Sequence, residues 1–378
     1  MSGFRFWRRF RRRSAAALRT TFEALQQEPH PLRTASRLVR AAILHRMKPQ
    51  DTLLYDLDCR PVADARGFLT KRSHTLLQDV LNPPTHHHLV LNKLDYHVAC
   101  RARGVAAPPV LAVVDFGPDD GRCATLNAFR ITGEADMARF LGSLPGPTRL
   151  VFKSLLGSYG HGFLGLTVDA EGAVDTDGRR LDPAAILQHC DAHRADAGFL
   201  VQAWLDPDPA LRPLMPGRAL GTVRVVTLLV GDQVRFPFAF VKIPVGTSVY
   251  DAFHHGQTGN LLASVDVVDG SVGIAWGPSP TRRHRLETYS AHPDNGVAIE
   301  GFPIPRWQEV LRVATYGARA FPELKTVGWD VAITPGEIFL LEGNHHWDPQ
   351  VPQVLLRRGF RPDMEALIAQ AGCRASAS

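Results

Sequence analysis

The sequence predicts an α+β fold built on antiparallel sheets. Two kinds of segment lead there. Paired apolar runs flank turn dipeptides: "GTVRVVTLLVGDQVRFPFAFVKIP" folds back through Gly231-Asp232, and "NLLASVDVVDGSVGIAW" through Asp269-Gly270. Around them lie segments with helical end signals, such as "DPAAILQHCDAH", where Asp182 is placed to cap and Pro183 takes the first helical position. With 378 residues, 45% hydrophobic and 21% charged, the chain reads as globular and long enough for two or three domains. It holds no apolar run of about 18 residues, so no membrane span is expected. Its five cysteines are scattered and form no CxxC pair, which argues against a disulfide framework or structural zinc and fits a reducing cytoplasm. No internal repeat is visible.

Residues 1–48 have helical spacing, broken at "EPHPLR". Much of the net charge of +6 sits in the opening "FRFWRRFRRRS". That stretch reads as a solvated helix, as a segment lying on an anionic membrane surface, or as a nonspecific nucleic-acid contact. "TLLYDLD" reads as a short strand, and "SHTLLQDVL" as a helix ended by Asn82-Pro83-Pro84. His86-His87-His88 is either a polar loop or a metal-binding run, although adjacent residues cannot all face one ion. Leu89–Leu91 reads as a short strand. Asn92 is placed to cap a helix from Leu94 to Arg103, with Gly104 at its end. "PPVLAVVDF" is a strand, and "GFLVQAWLDPDP" a buried strand running into a Pro-rich turn. "PRWQEVLRVATYGARAFP" is a capped amphipathic helix.

Three stretches carry chemistry. In "KSLLGSYGHG" a lysine ends an apolar strand and glycines follow. This is either a loop that wraps phosphates with backbone N–H groups or a plain hairpin turn, and it is not a GxxxxGK[ST] P-loop. Arg224 in "TVRVVTLL" and Lys242 in "FAFVKI" lie on partner strands among apolar neighbours, as ion-pair partners or as phosphate contacts. In "VGWDVAITPGEIFLLEGNHHWD" two strands flank the turn Thr334-Pro335-Gly336-Glu337. Glu342 and Asn344 share a face, and a three-residue loop centred on Gly336 would set Asp330 opposite Glu342. Three converging oxygen-bearing groups suit a hard divalent cation such as magnesium. Otherwise they are solvated strand-end acids.

In this order (Lys93 before a helix, Lys153 with its glycine loop, "VQAWL", "TVRVVTL", a "GN" loop, then Asp330, Glu342 and Asn344) the chain resembles the ATP-grasp carboxylate–amine ligases over roughly residues 85–355. It looks most like the branch described as sugar-transfer-associated ATP-grasp proteins, related to α-L-glutamate ligases. The resemblance implies two α+β lobes clasping ATP, preceded by a helical N-terminal region. It divides the chain into a basic helical region 1–48, a reduced preceding region 49–110, a small lobe 111–200 with the glycine loop, a large lobe 201–365 with the magnesium site, and a tail 366–378. Lys93 and Lys153 match lysines that meet the nucleotide phosphates. Gly157, Ser158, Gly160 and Gly162 match the loop that closes over them. Gln202, Ala203, Trp204 and Leu205 match the hinge against adenine, and Asp208 lies where a ribose-binding acid is often found. Arg224, Lys242 and Asn260 match catalytic residues at the transferred phosphate. Asp330, Glu342 and Asn344 match the ligands of Mg2+.

The implied reaction joins a carboxylate to an amine through an acylphosphate, releasing ADP and phosphate. The implied partners are ATP and small-molecule or glycan-linked substrates in polysaccharide or cell-envelope biosynthesis, in the cytoplasm or at the inner face of the membrane, with no specific nucleic acid. Two other readings stay open: a phosphotransferase on the same scaffold, and a non-catalytic nucleotide-binding protein at a membrane. The segment before Lys93 is shorter and more helical than the family pattern, and His161 has no assigned role. His254, His255, His345, His346, Trp307, Trp347 and Gln353 either line the acceptor pocket or face solvent.

Overall fold

A computed structural model describes residues 19, 21–23, 25, 26, 28, 30–118, 120–157, 160–193, 197–249 and 251–373. The basic opening segment and Ser158 lie outside the described residues. No described helix is long and apolar enough to cross a membrane.

Helices come first: α1 (Pro31–His45), α2 (Pro49–Leu54), α3 (Lys71–Leu81), α4 (His88–Leu91) and α5 (Lys93–Arg103). Thr70 and Ser73 form a capping box on α3. On α5, Asn92 Oδ1 accepts from Leu94 N at 2.8 Å, and Gly104 ends the helix at φ 68°. Two expected strands are helical instead. "TLLYDLD" enters α2 and a following turn, because Pro49 starts a helix there and the last turn buries Leu53 and Leu54. Leu89–Leu91 is the helix α4, with His87 O accepting from Val90 N and Leu91 N. A three-residue apolar run carries no periodicity that separates strand from helix.

The first sheet holds β1 (Val110–Val114), β2 (Phe129–Ile131), β3 (Thr148–Ser154), β4 (Leu164–Asp169), β5 (Gly172–Asp175), β6 (Arg180–Leu181) and β7 (Phe199–Ala203), in the order β2-β1-β7-β3-β4-β5-β6. Only β1 and β2 pair in parallel; the other ladders are antiparallel. The helices α6 (Arg122–Leu126), α7 (Glu134–Gly142) and α8 (Pro183–Ala192) accompany this sheet. Met137 and Phe140 of α7 and Ile186 and Cys190 of α8 share a core with Phe152, Phe199 and Val201. Asp182 Oδ1 caps α8 through Ala185 N, as its spacing predicts. Strand alternation then leaves Val151, Lys153, Leu200 and Gln202 on the opposite face, toward the cleft.

The second sheet holds β8 (Val223–Val230), β9 (Gln233–Ile243), β10 (Leu261–Val265), β11 (Val272–Pro278), β12 (Leu286–Tyr289), β13 (Thr326–Ile333) and β14 (Ile338–Asn344), in the order β12-β11-β10-β9-β8-β13-β14. Val223, Val225, Val241, Trp329 and Val331 face one core with Val310 and Ala314 of α9 (Trp307–Ala320). The N-terminus of α9 has no side-chain cap. Arg306 occupies that place in the left-handed region and spends its guanidinium on Glu309 and Thr334 O.

The other face of this sheet is shared. Val226 and Leu228 pack with Phe238, Leu54, Tyr55 and Leu81, with Val354 of α10 (Gln350–Leu356), with Met364 of α11 (Arg361–Gln370) and with Phe360 just before it. Thus the segment before Lys93 forms a helical collar with the C-terminal helices. A buried Arg285 holds it, donating to Asp56, Asp58 and Glu28. Gly359 lies so close to Gly67 that a Cβ would sit 2.1 Å from its carbonyl carbon, so only glycine fits there. Two residues back along β8 from Val226, beyond the collar, the same face carries Arg224 into the cleft.

Asp330 does pair with Glu342, but by another route than a three-residue loop. Ile333 pairs with Ile338 across a four-residue turn, and a bulge between Asp330 and Val331 shifts the register by one. The bulge restores the pairing that the turn alone would have missed.

Candidate functional site

The two sheets face one another across a cleft of about 610 Å³. One wall comes from the first sheet and α5. Lys93 Nζ donates to Gly157 O at 2.6 Å, which ties the N-terminus of α5 to the glycine loop. Lys153 Nζ donates to Gln202 Oε1 at 3.2 Å, and Gln202 Nε2 donates to Pro108 O at 3.1 Å. Burial and the like charge of Lys93 depress the Lys153 pKa, against the opposing pull of Glu342. Burial, with Lys153 and Lys93, lowers His97 to about 3, so this imidazole is neutral. The loop is tight: a Cβ on Gly157 would meet Ser154 Oγ at 1.8 Å, and Ser154 Oγ already donates to His161 O at 2.9 Å. Gly160 lies in the left-handed region at φ 76°.

The floor comes from four adjacent strands of the second sheet. The pairings Arg224↔Asp330 and Asp330↔Glu342 set three charged side chains in a row. Arg224 Nε and Nη2 donate to the two oxygens of Asp330, each at 2.6 Å. Lys242 Nζ lies 3.2 Å from both Asp330 Oδ2 and Asp251 Oδ1. Asp251 Oδ2 accepts from Thr222 N and Oγ1. Burial opposes ionisation of Asp330, but Arg224 and Lys242 outweigh it and hold this carboxyl well below the usual range. Burial likewise opposes the charge on Lys242, and Asp251 and Asp330 outweigh it. The Arg224 guanidinium also lies 5.7 Å from the centre of the Phe240 ring.

Glu342 stands within hydrogen-bonding reach of the Asp330 carboxyl. Asn344 Nδ2 donates to Gly328 O at 3.2 Å, which leaves Oδ1 as its available atom. The donors on β13 and β14 are therefore all oxygens, with two carboxyls in contact, and this set fits magnesium. Lys93, Lys153, Arg224 and Lys242 converge on the same space, so phosphates find cations on both walls.

Most expected site residues come together here. Lys93, Lys153, Gly157, Gly160, Gln202, Ala203, Trp204, Leu205, Arg224, Lys242, Asp330, Glu342 and Asn344 all line the cleft, as does His161. Three do not. Gly162 lies behind the loop, its carbonyl within 3.1 Å of His189 Nε2. Asp208 caps a short 3-10 turn through Ala210 N. Asn260 is fully buried: its Oδ1 accepts from Val245 N and its Nδ2 donates to Ala252 O, so its amide holds the two ends of the 245–260 excursion together. Of the acceptor-pocket candidates, His254, His255, His345 and His346 line the cleft. Trp307, Trp347 and Gln353 are core residues; Gln353, for instance, donates to Tyr55 Oη and Leu69 O.

Sequence reasoning missed Asp251, His97 and Phe240. The signal for Asp251 was an acid just before the polar "HHGQTGN" loop, but its pairing with Lys242 is tertiary.

A family model described as sugar-transfer associated ATP-grasp matches residues 72–368. The chain belongs to the sugar-transfer associated ATP-grasp family. Its fold is the ATP-grasp fold with a helical N-terminal region. Among solved structures, biotin carboxylase from Campylobacter jejuni aligns at 10% identity and a TM-score of 0.44, covering 78% of this chain and 49% of that one. D-alanyl-alanine synthetase A from Vibrio cholerae aligns at 12% and 0.41, covering 77% and 67%. L-amino acid ligase from Bacillus licheniformis aligns at 12% and 0.33, covering 69% and 41%. This ATP-grasp chain thus spans about half the length of the first of these relatives. A search of curated proteins found no match.

Proposed function

We propose that this ATP-grasp protein is an ATP-dependent ligase that joins a carboxylate to an amine. The convergence of Lys93, Lys153, Arg224 and Lys242 on a cleft floored by Asp330, Glu342 and Asn344 carries the reading. In the first step a substrate carboxylate oxygen bonds to the γ-phosphorus, the bond to the β-phosphate oxygen breaks, and ADP leaves. In the second an amine nitrogen attacks the acyl carbon, phosphate departs with the C–O electron pair, and the nitrogen loses a proton. No protein nucleophile is needed; this chain supplies position and charge. Lys93 and Lys153 hold the nucleotide phosphates, and the loop at Gly157–Gly162, with Ser158, closes over them. Gln202, Ala203, Trp204 and Leu205 meet the adenine. Arg224 and Lys242 face the transferred phosphoryl group, releasing part of their hold on Asp330 as they do so. Asp330, Glu342 and Asn344 would hold Mg2+, which offsets phosphate charge when bound. The 254–260 loop, held by Asn260, excludes water from the acylphosphate. Residues 111–200 act as the small lobe and 201–365 as the large lobe.

The acceptor lies on the side of His254, His255, His345 and His346, and its class belongs to polysaccharide or cell-envelope assembly. The test incubates the purified protein with ATP, magnesium and pools of amino acids, amino sugars and sugar acids, following ADP and free phosphate. Phosphate release that needs both an acid and an amine, and is lost in Glu342→Gln, is the expected result. ADP with a phosphorylated product and no free phosphate would make it a phosphotransferase instead.

The N-terminal region contacts the inner face of the membrane in this reading. Leu32, Val39 and Ile43 fall on one exposed stripe of α1, 87%, 56% and 72% exposed, with Arg33 and Arg40 beside it. The full chain is expected to sediment with vesicles containing anionic lipid, and Ile43→Asp/Val39→Asp to weaken this several-fold. Equal sedimentation with neutral vesicles would count against it.

A further inference from the structure

Beyond Asn344 the chain turns at His345 and His346, and the turn sets both imidazoles side by side, with ring centroids 4.3 Å apart. His87, from the segment between α3 and α4, packs against both, at 4.0 Å from His345 and 4.7 Å from His346. One nitrogen from each ring lies within 4.8 Å of the other two. Among the described residues no other group of three or more His, Cys, Asp or Glu side chains approaches this way. His86 and His88 stay outside it.

The hydrogen bonds around the rings say which nitrogens are available. His87 Nε2 lies 2.8 Å from Asn82 O, and a carbonyl only accepts, so this nitrogen donates and in the neutral ring the lone pair sits on Nδ1. His346 Nε2 lies 2.6 Å from Asp79 Oδ1 and donates to that carboxylate, so in the neutral ring Nδ1 is the nitrogen with the lone pair. Asp79 also stands 3.7 Å from His87 Nε2, so one carboxylate backs two rings. An imidazole whose far nitrogen donates to a carbonyl or carboxylate is the usual outer arrangement of a metal-binding histidine. Packing alone asks for no such order.

We propose that His87, His345 and His346 form a site for one divalent transition cation of zinc-like preference, at the edge of the cleft and separate from the oxygen donors on β13 and β14. Imidazole nitrogens suit zinc, nickel or copper, whereas carboxylate and amide oxygens suit magnesium, so ligand type sorts the two ions. His345 and His346 line the cleft, so the remaining coordination position opens toward it and takes an anionic oxygen of a bound acceptor. Closing on an ion brings one lone-pair nitrogen from each ring, by rotation of the side chains, to about 3.3 Å of one another, the spacing for tetrahedral bonds of about 2.0–2.1 Å. The His87 and His346 side chains, 14% and 29% exposed, have room for that rotation. The site needs neither ATP nor ligase turnover, so its test stands apart from theirs.

The full-length protein, stripped with a chelator and kept in excess magnesium, is titrated with Co2+ while visible absorption is followed, then with Zn2+. One Co2+ per chain, displaced by Zn2+, is expected. His87→Ala and His346→Ala are each expected to weaken it at least ten-fold. Asp79→Asn, which keeps the side-chain shape, weakens it about ten- to a hundred-fold by releasing the ring it orients. Glu342→Gln leaves it unchanged. Circular dichroism confirms that each variant is folded. Absence of saturable Co2+ binding, or binding that survives the histidine variants and follows Glu342→Gln, overturns the proposal.

Discussion

Asp330→Ala is expected to destabilise the protein by about 3–5 kcal/mol, the usual effect of breaking a buried ion pair from one side. Asp330 is almost fully buried and accepts from Arg224 twice and from Lys242 once. Removing it leaves Arg224 without this carboxylate and Lys242 with Asp251 alone. Restoring charge balance should recover much of the loss, so Asp330→Ala/Arg224→Met is expected to unfold at a higher urea concentration than Asp330→Ala. The pair also makes an acid-sensitive contribution. Asp330 has its pKa depressed on folding, so in acid the unfolded chain binds more protons and stability rises with pH. This contribution is complete above the unfolded value of about 3.9 and is lost as the pH falls below it. The gap between wild type and Asp330→Ala should therefore narrow in urea titrations taken at pH 4 and below. A gap under about 1 kcal/mol at pH 7 would mean that the pair is not the keystone of the floor.

Lys153→Met carries the opposite signature. In the proposed reaction Lys153 neutralises nucleotide phosphate, so phosphate release should fall about a hundred-fold or more, within the range for losing one charged donor at a reacting phosphoryl group. Stability should not fall with it. Burial and Lys93 already push the Lys153 charge toward neutrality, which means that the fold bears a desolvation cost to keep it there. An apolar side chain of similar length removes that cost, and the melting temperature is expected to stay or rise slightly. Met at this position should also loosen the hold on Gln202 Oε1, raising the KM for ATP. Normal turnover in Lys153→Met would remove this lysine from the site, and a large drop in stability would make its role structural.

The two variants fail differently because their positions differ in one physical respect. Asp330 is bonded directly to its counter-ions, whereas Lys153 donates to the neutral Gln202 and feels Glu342 only through space, against the like charge of Lys93. That asymmetry is the strongest sign that the cleft is built for a polyanion.

Much of this was legible in the chain itself. Period-two alternation in "LVFKS", "TVRVVTLL" and "FLLEGN" determined which charged residues leave the core for the cleft, and turn dipeptides determined the hairpins that carry them. Asn92, Gly104 and Asp182 marked helix ends where hydrogen bonds now close. These are local matters, set within a few residues by backbone geometry. Other features depended on segments far apart in sequence, and only the tertiary structure decided them. The bulge beside Asp330 corrects a turn that would otherwise have misaligned Glu342. The run Thr52–Asp58 became helix and turn because Leu54, Tyr55 and Leu57 found packing partners in the collar, and Leu89–Leu91 became helix with Val90 in the core of the second sheet. Asn260 went to the backbone of its own loop, since a buried amide must satisfy its hydrogen bonds wherever it lies. Asp251 met Lys242, and His87 met His345, through space. No local pattern encodes such meetings, because the free energy that brings them about comes from burying the whole of both sheets and the collar together.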